Sequence, residues 1–187
     1  MYLFAGIGNI GKEYNDTRHN IGFLIIDEII KQYEFKKDKD DFDSCIYRGI
    51  IVKEKVMLAK PMTFVNNSGK AISKIVSFYK IPMEKIFIFH DDMDLNVSRI
   101  KIKTGGSSAG HNGIKSIDNC IGRNYKRIRI GIGNPSGYIT PKKYVLEKFT
   151  KNEYYLIKKK TGILIKNIHY LFNNDSNNLL NILSNDL

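Results

Sequence analysis

The run KIFIFHD, residues 85–91, constrains the fold more than any other stretch of the chain. Its apolar residues are contiguous rather than alternating, the pattern of a strand covered on both faces. It ends in a histidine and an acid, which a core accepts only when they are paired. YLFAGI (2–7) is a second short buried strand, and KRIRIGIG (126–133) is a third. Helical patterns separate them. Residues 21–33, IGFLIIDEIIKQY, have helix-compatible apolar spacing, and a helix after PMTFVNNSG carries Ala71, Ile72, Ile75, Val76 and Tyr79 on one stripe. Strands alternating with helices give an α/β fold.

Other segments modify that frame. CIYRGIIV and VMLAK are β-rich runs joined by Lys53, Glu54 and Lys55, as in a hairpin. The hairpin makes the sheet mixed, though mostly parallel, and twisted, with helices flanking it. SRIKIKT (98–104) alternates as a half-exposed strand does. DKDDFDS (38–44) is a polar loop. GGSSAGHNG (105–113) is a flexible loop before a helix that runs to Ile121, and NPSGYITP (134–141) is a loop. Residues 151–172 form one helix with Ile157, Thr161, Leu164, Ile165, Ile168, Leu171 and Phe172 on a face, leaving Lys158, Lys159 and Lys160 near water. The tail from residue 173 adds a turn or two of helix. No linker divides the chain, so residues 1–187 are expected to form one domain.

Composition narrows the partners. Thirty Lys and Arg against nineteen Asp and Glu give a net charge of +11, which suits a polyanion, because neutralising phosphates releases their counterions. No apolar run approaches the ~20 residues needed to span a bilayer. The two cysteines, Cys45 and Cys120, form no CxxC, which points to a reducing compartment. A cytoplasmic location without membrane contact is expected.

The glycines invite a different reading. Gly6, Gly8 and Gly11 match G-x-G-x-x-G after a strand. A dinucleotide site also needs a helix opening at the loop, and an acidic residue at the end of the next strand. Here KEYNDTRHN intervenes, and Asp27 and Glu28 fall inside a helix. The motif therefore reads as a tight turn. GIGN recurs at 131–134, also at a strand end, so the two ends are candidates to lie side by side.

Polar groups that a core would not hold collect elsewhere. Asn9 follows the first strand and His19 stands in the loop leaving it. Asn66 lies in TFVNNSG, HDDMD (90–94) ends the best strand, and GHNG (110–113) precedes a helix. Ligand sites in open α/β sheets collect at the carboxyl ends of strands. Imidazole beside carboxylate is a general-base arrangement, and asparagine amides suit a peptide or a developing oxyanion. No serine or cysteine occupies a nucleophile motif, which leaves water. Two alternatives stay open: a metal-dependent phosphoesterase built on HDDMD, and a noncatalytic RNA-binding module that needs only the basic surface.

Taken together, GIGNIGKEYNDTRHNIGF, KPMTFVNNSGKA, FHDDMDL, GGSSAGHNGIKSI and RIRIGIGNP, in this order, resemble the bacterial peptidyl-tRNA hydrolase family over roughly residues 4–150; residues 151–187 add no motif. The resemblance implies a single-domain monomer with a mixed sheet wrapped by helices. It implies an enzyme that cleaves the ester between a peptide and the 3′-terminal ribose of tRNA left by stalled translation, without metal or other cofactor. By resemblance, His19 matches the general base and Asp91 its orienting carboxylate. Asn9, Asn66 and Asn112 match the asparagines that hold the peptide and the attacked carbonyl, and Tyr14 lies beside the tRNA 3′ end. Phe64 and Val65 match apolar residues lining the cleft, and Lys103 and Arg129 a basic pair that clamps the tRNA 5′-phosphate. A site of asparagine amides is expected to accept a peptide and to offer the ammonium of aminoacyl-tRNA no acidic partner. The sequence departs from the family at Ile10, where proline is usual, and at Ser107, Ser108 and Ala109, where the loop is usually richer in glycine.

Overall fold

Alternation along the first strand sets the layers. In β1 (Tyr2–Gly6) every residue is buried, so both faces of the strand need a cover. Tyr2 and Phe4 belong to one core cluster with Ile25, Ile29, Ile157, Leu164 and Leu179. Leu3 and Ala5 belong to the other, with Ile72, Ile75, Ile114 and Ile117. Thus α1 (Ile21–Gln32), α5 (Lys151–Lys166) and α6 (Ser176–Ser184) cover one face, and α2 (Ser68–Tyr79) and α3 (Asn112–Ile121) the other. The computed structural model describes residues 1–172 and 175–185.

The remaining strands are β2 (Lys36–Asp41), β3 (Ser44–Ile51), β4 (Glu54–Pro61), β5 (Ile86–Asp92), β6 (Ile100–Thr104) and β7 (Lys126–Gly131). They form a seven-stranded sheet in the order β2-β3-β4-β1-β5-β7-β6. The inner strands β4, β1, β5 and β7 run parallel, while β3 and β6 pair antiparallel with their neighbours. The sheet is therefore mixed and mostly parallel, as the hairpin implied. KIFIFHD supplies β5, an inner strand between β1 and β7 with every residue buried.

Several local expectations are corrected. The DKDDFDS segment is not a loop throughout, because Lys36–Asp41 is the edge strand β2 paired to β3. A charged edge strand is a usual guard against pairing with other chains, and it carries no apolar period to reveal it. The hairpin is tighter than three residues, with Val52 and Lys53 alone between β3 and β4. The two GIGN ends do not lie side by side, since β5 separates β1 from β7. The helix from residue 151 ends at Lys166, where the Asn167 side chain donates to Ile163 O at 2.9 Å, and a 3₁₀ turn follows at Ile168–Leu171. Lys160 is buried and donates from Nζ to Leu183 O at 2.6 Å, a cation at the carboxyl end of α6. The tail forms α6, longer than a turn or two; residues 173, 174, 186 and 187 of that expectation lie outside the described residues.

One close approach places the loop that carries His19. The first turn of α1 lies backbone to backbone on the ends of β1 and β5. A Cβ on Gly22 would collide with Ile7 N, Ile7 O and Phe89 O, and one on Gly6 with Gly22 O. Gly22→Ala is therefore expected to push α1 off the sheet and destabilise the protein by about 1–3 kcal/mol. Differential scanning calorimetry should show Tm lower by roughly 2–4 °C per kcal/mol; an unchanged Tm would contradict the close packing.

Candidate active site

The centre of the site is the Asp91 carboxylate near the end of β5, at 2% exposure. His19 Nδ1 lies 2.9 Å from both of its oxygens. His111 Nε2 lies 2.9 Å from Oδ1. Backbone N–H groups of Gly113 and Ile114 donate to His111 Nδ1 at 3.1 and 3.3 Å, so that nitrogen accepts and Nε2 donates to Asp91. His19 Nδ1 likewise donates to Asp91, which leaves the lone pair on Nε2. Burial alone would raise the Asp91 carboxyl, but the two imidazoles hold it well below the usual carboxylate range. Burial alone would lower the His19 imidazole, but the Asp91 charge and hydrogen bond outweigh it and raise its pKa.

The loop carrying His19 is fixed from two sides. Val145 O accepts from His19 N at 2.8 Å, and Glu147 O from Arg18 N at 3.0 Å. The Arg18 guanidinium, between the rings of Tyr144 and Phe149, donates to both carboxylate oxygens of Glu153 at 3.0 and 2.9 Å. On the other side, Asn20 Oδ1 accepts from Asn9 N at 2.8 Å and its Nδ2 donates to Asn9 O at 2.9 Å. Asn9 Oδ1 accepts from Val65 N at 2.9 Å, which leaves its amide N–H groups toward the cleft.

That cleft has a volume of about 610 Å³ and is lined by Asn9, His19, Phe64, Val65, Asn66, Asp91 and Asn112 among others. It thus brings together seven of the residues singled out from the sequence. Tyr14 does not line it, but its ring stands edge-on to Phe64 at 6.4 Å between centroids. Lys103 and Arg129 lie outside it. They stand on adjacent strands and diagonally placed, because Lys103 pairs with Arg127 and Lys101 with Arg129. Arg127, two residues before Arg129 on β7, is not a surface cation. It is buried, and donates to Asp118 Oδ1 at 2.7 Å, Ser107 O at 2.7 Å and Gly106 O at 3.3 Å. It thereby pins the loop whose next residues, Ser108, Ala109 and Gly110, border the cleft. Ala109 holds φ +47° there, a conformation glycine adopts more readily.

The acids of HDDMD do not converge. Asp91 faces the two histidines, whereas Asp92 Oδ2 accepts from Arg129 Nε at 2.6 Å and its Oδ1 from Asp94 N at 2.9 Å. Asp94 also borders the cleft, at an exposed position. Among the described residues, His19, Asp91 and His111 offer donor atoms within 4.8 Å of one another, and a metal there would have to displace two hydrogen-bonding protons. His90 is fully buried and donates from Nδ1 to Asp91 O at 2.7 Å; burial first, and His111 beside it, push its pKa down to about 3. Sequence reasoning missed His111, Asn20 and Arg127. GHNG held a signal for the first, since its histidine immediately precedes a helix.

Comparison with known proteins agrees across nearly the whole chain. A model of the peptidyl-tRNA hydrolase family matches residues 3–186, including the last part that carried no motif. A peptidyl-tRNA hydrolase of Wolbachia pipientis wMel is 44% identical over 183 residues, 98% of this chain and 100% of that protein. One from Ehrlichia ruminantium (strain Welgevonden) is 47% identical over 175 residues, covering 94% and 90%. The crystal structure of peptidyl-tRNA hydrolase from Acinetobacter baumannii superposes with a TM-score of 0.92 at 35% identity, covering 98% of this chain and 94% of that one.

The carboxylate beside His19 has a measurable signature. The imidazole is expected to titrate above the ordinary value of 6.5, because the Asp91 anion stabilises the protonated ring. In Asp91→Asn the anion is gone, burial acts with less opposition, and the midpoint should move to lower pH. NMR titration of the His19 ring proton decides this; an unmoved midpoint would mean that Asp91 does not govern the ring.

Proposed function

The chain belongs to the peptidyl-tRNA hydrolase family and hydrolyses peptidyl-tRNA; we propose that it does so with water as the nucleophile and His19 Nε2 as the general base. The observation that carries this reading is the buried His19–Asp91 pair opening on a cleft lined by asparagines. Nε2 takes a proton from water as the oxygen attacks the ester carbonyl, and Asp91 stabilises the imidazolium formed. The amide N–H groups of Asn9, with Asn66 and Asn112, hold the peptide and the developing oxyanion. As the tetrahedral intermediate collapses, the imidazolium returns its proton to the departing ribose oxygen. The products are a peptide acid and free tRNA. Phe64 and Val65 supply the apolar wall, and Tyr14 beside Phe64 receives the 3′ end.

The basic surface supports the other half of the substrate. Lys103 and Arg129 take the tRNA 5′-phosphate, and the +11 charge attracts the backbone without reading its sequence. The family resemblance implies a monomer, and size-exclusion chromatography with light scattering tests that. A substrate made by translation supports action in the cytoplasm, and among the described residues no helix is long and apolar enough to cross a membrane. The residues named require no cofactor for ester hydrolysis, and an assay with and without EDTA tests that.

Two measurements test the assignment. His19→Ala should lower kcat on N-acetyl-aminoacyl-tRNA about 10²–10⁴-fold and leave tRNA binding near normal, since a base adds little to ground-state affinity. A variant retaining more than about a tenth of the rate would contradict the role. Asp91→Asn should lower the rate less and shift the acid limb of the pH–rate profile to lower pH, because the base is then neutral further into acid. Separately, Lys103→Ala with Arg129→Ala should raise KM for tRNA substrates and reduce the slope of log binding against log salt by at most about two phosphate contacts. A short N-blocked aminoacyl-oligonucleotide should be hydrolysed as before. If removing the 5′-phosphate weakens wild type and double variant equally, the clamp is refuted.

A further inference from the structure

Two arginines stand two residues apart on the same face of β7, and they are bound in opposite ways. The Nη groups of Arg127 are taken by Ser107 O, Gly106 O and Asp118. The side chain of Arg129 is held only at Nε, by Asp92 Oδ2 at 2.6 Å. Its two Nη groups have no partner among the described residues, and its side chain keeps 20% exposure against 4% for Arg127. Asp92 is itself immobilised, its other oxygen accepting from Asp94 N at 2.9 Å. The bound Nε fixes the plane of the guanidinium and leaves its Nη edge open on the face that Lys101 and Lys103 share.

We infer that Asp92 is the residue that sets the specificity of Arg129 for a terminal phosphate, an inference that rests on the 5′-phosphate reading of Lys103 and Arg129 above. Two physical effects act together. A guanidinium held at Nε presents its remaining donors in a fixed fork, so less freedom is lost when a phosphate is bound. The Asp92 anion also offsets part of the Arg129 charge. A backbone phosphodiester, with one negative charge, then gains little at this position. A terminal phosphate carries about −1.5 to −2 near neutral pH and outcompetes that offset. Asp92 thus narrows a general polyanion contact to a chain end. It acts through Arg129 as a positioning residue and takes no part in the hydrolysis itself. Its neighbour Asp91 turns instead to His19 and His111.

The test measures KM for one N-acetyl-aminoacyl-tRNA with a 5′-phosphate and with a 5′-hydroxyl, and follows their ratio. Wild type should favour the phosphorylated tRNA by on the order of tenfold, the worth of one charge-assisted hydrogen bond. Asp92→Ala should bring the ratio close to one: KM rises for the phosphorylated tRNA as the fork loses its anchor, and falls for the hydroxyl form as the offsetting charge goes. Asp92→Asn keeps an acceptor for Nε without the charge. It should lower KM for both substrates and restore part of the ratio, a pattern that general loosening of the fold would not give. Thermal unfolding of both variants separates that case. A ratio unchanged in Asp92→Ala, while Lys103→Ala with Arg129→Ala abolishes it, would overturn the role of Asp92 and leave the clamp standing. A wild-type ratio of one would overturn the clamp and this inference together.

Discussion

A carboxylate taken out of water costs several kcal/mol unless neighbours replace its hydration, and Asp91 is such a group. It is satisfied from both faces of the sheet. His19 arrives from the α1 side and His111 from the α3 side, both at 2.9 Å. Neither layer could supply both partners, because helices on opposite faces meet only beyond a strand end. The position of Asp91 at the carboxyl end of an inner strand is therefore what allows one anion to hold two imidazoles. Each further contact serves that junction. Gly6 and Gly22 let the first turn of α1 descend onto the sheet, and the N–H groups of Gly113 and Ile114 commit His111 Nδ1, so that His111 offers Asp91 only a donor.

The cations divide into two populations with different work. Arg18, Arg127 and Lys160 are buried, and each is bound to carboxylates or carbonyls of the same chain. They are internal struts, and Arg18 and Arg127, each paired with a carboxylate, add nothing net to the formal +11. Lys101 and Lys103 are exposed, and Arg129 stands between the two populations with one nitrogen engaged. Such gradation within a single strand face shows why net charge argues for a class of partner and not for a site.

The layers were legible because periodicity reports burial directly. A contiguous apolar run gave β5, and the hairpin gave a mixed sheet. The separation of 72 residues between His19 and Asp91 is bridged by topology, which periodicity does not contain; the ordered motifs carried that information instead. β2 was missed because a charged edge strand, held by backbone pairing to β3 and by the Arg48–Asp38 ion pair at 2.7 Å, has no apolar period to reveal it. Lys160 could have been found: on a 3.6-residue period it shares a face with Ile157 and Leu164, so its stem had to be buried, and only the chemistry of its head argued for water. Arg127 alternates in step with Arg129, and nothing local tells a paired arginine from an open one. Asn20 was hidden by its neighbour, since RHN draws attention to the histidine, while the amide two-point contact to Asn9 backbone is visible only in three dimensions.

Residues beyond 140 carry little motif, yet they close the site. Pro141, Lys142, Val145 and Leu146 border the cleft, and carbonyls of Val145 and Glu147 hold the His19 loop. What fixes this segment is the bidentate Arg18–Glu153 pair, whose carboxylate also caps α5 through Thr150 N at 2.8 Å. Exposed ion pairs contribute about 0–1 kcal/mol. A buried arginine stripped of its partner costs about 3–5 kcal/mol, and Arg18 is both buried and sandwiched between aromatic rings. The strength of that pair comes from what its loss would leave unpaired. It ties the amino end of α5 to the residue next to His19, so the last quarter of the chain contributes to the site by holding its geometry, with no reactive group of its own.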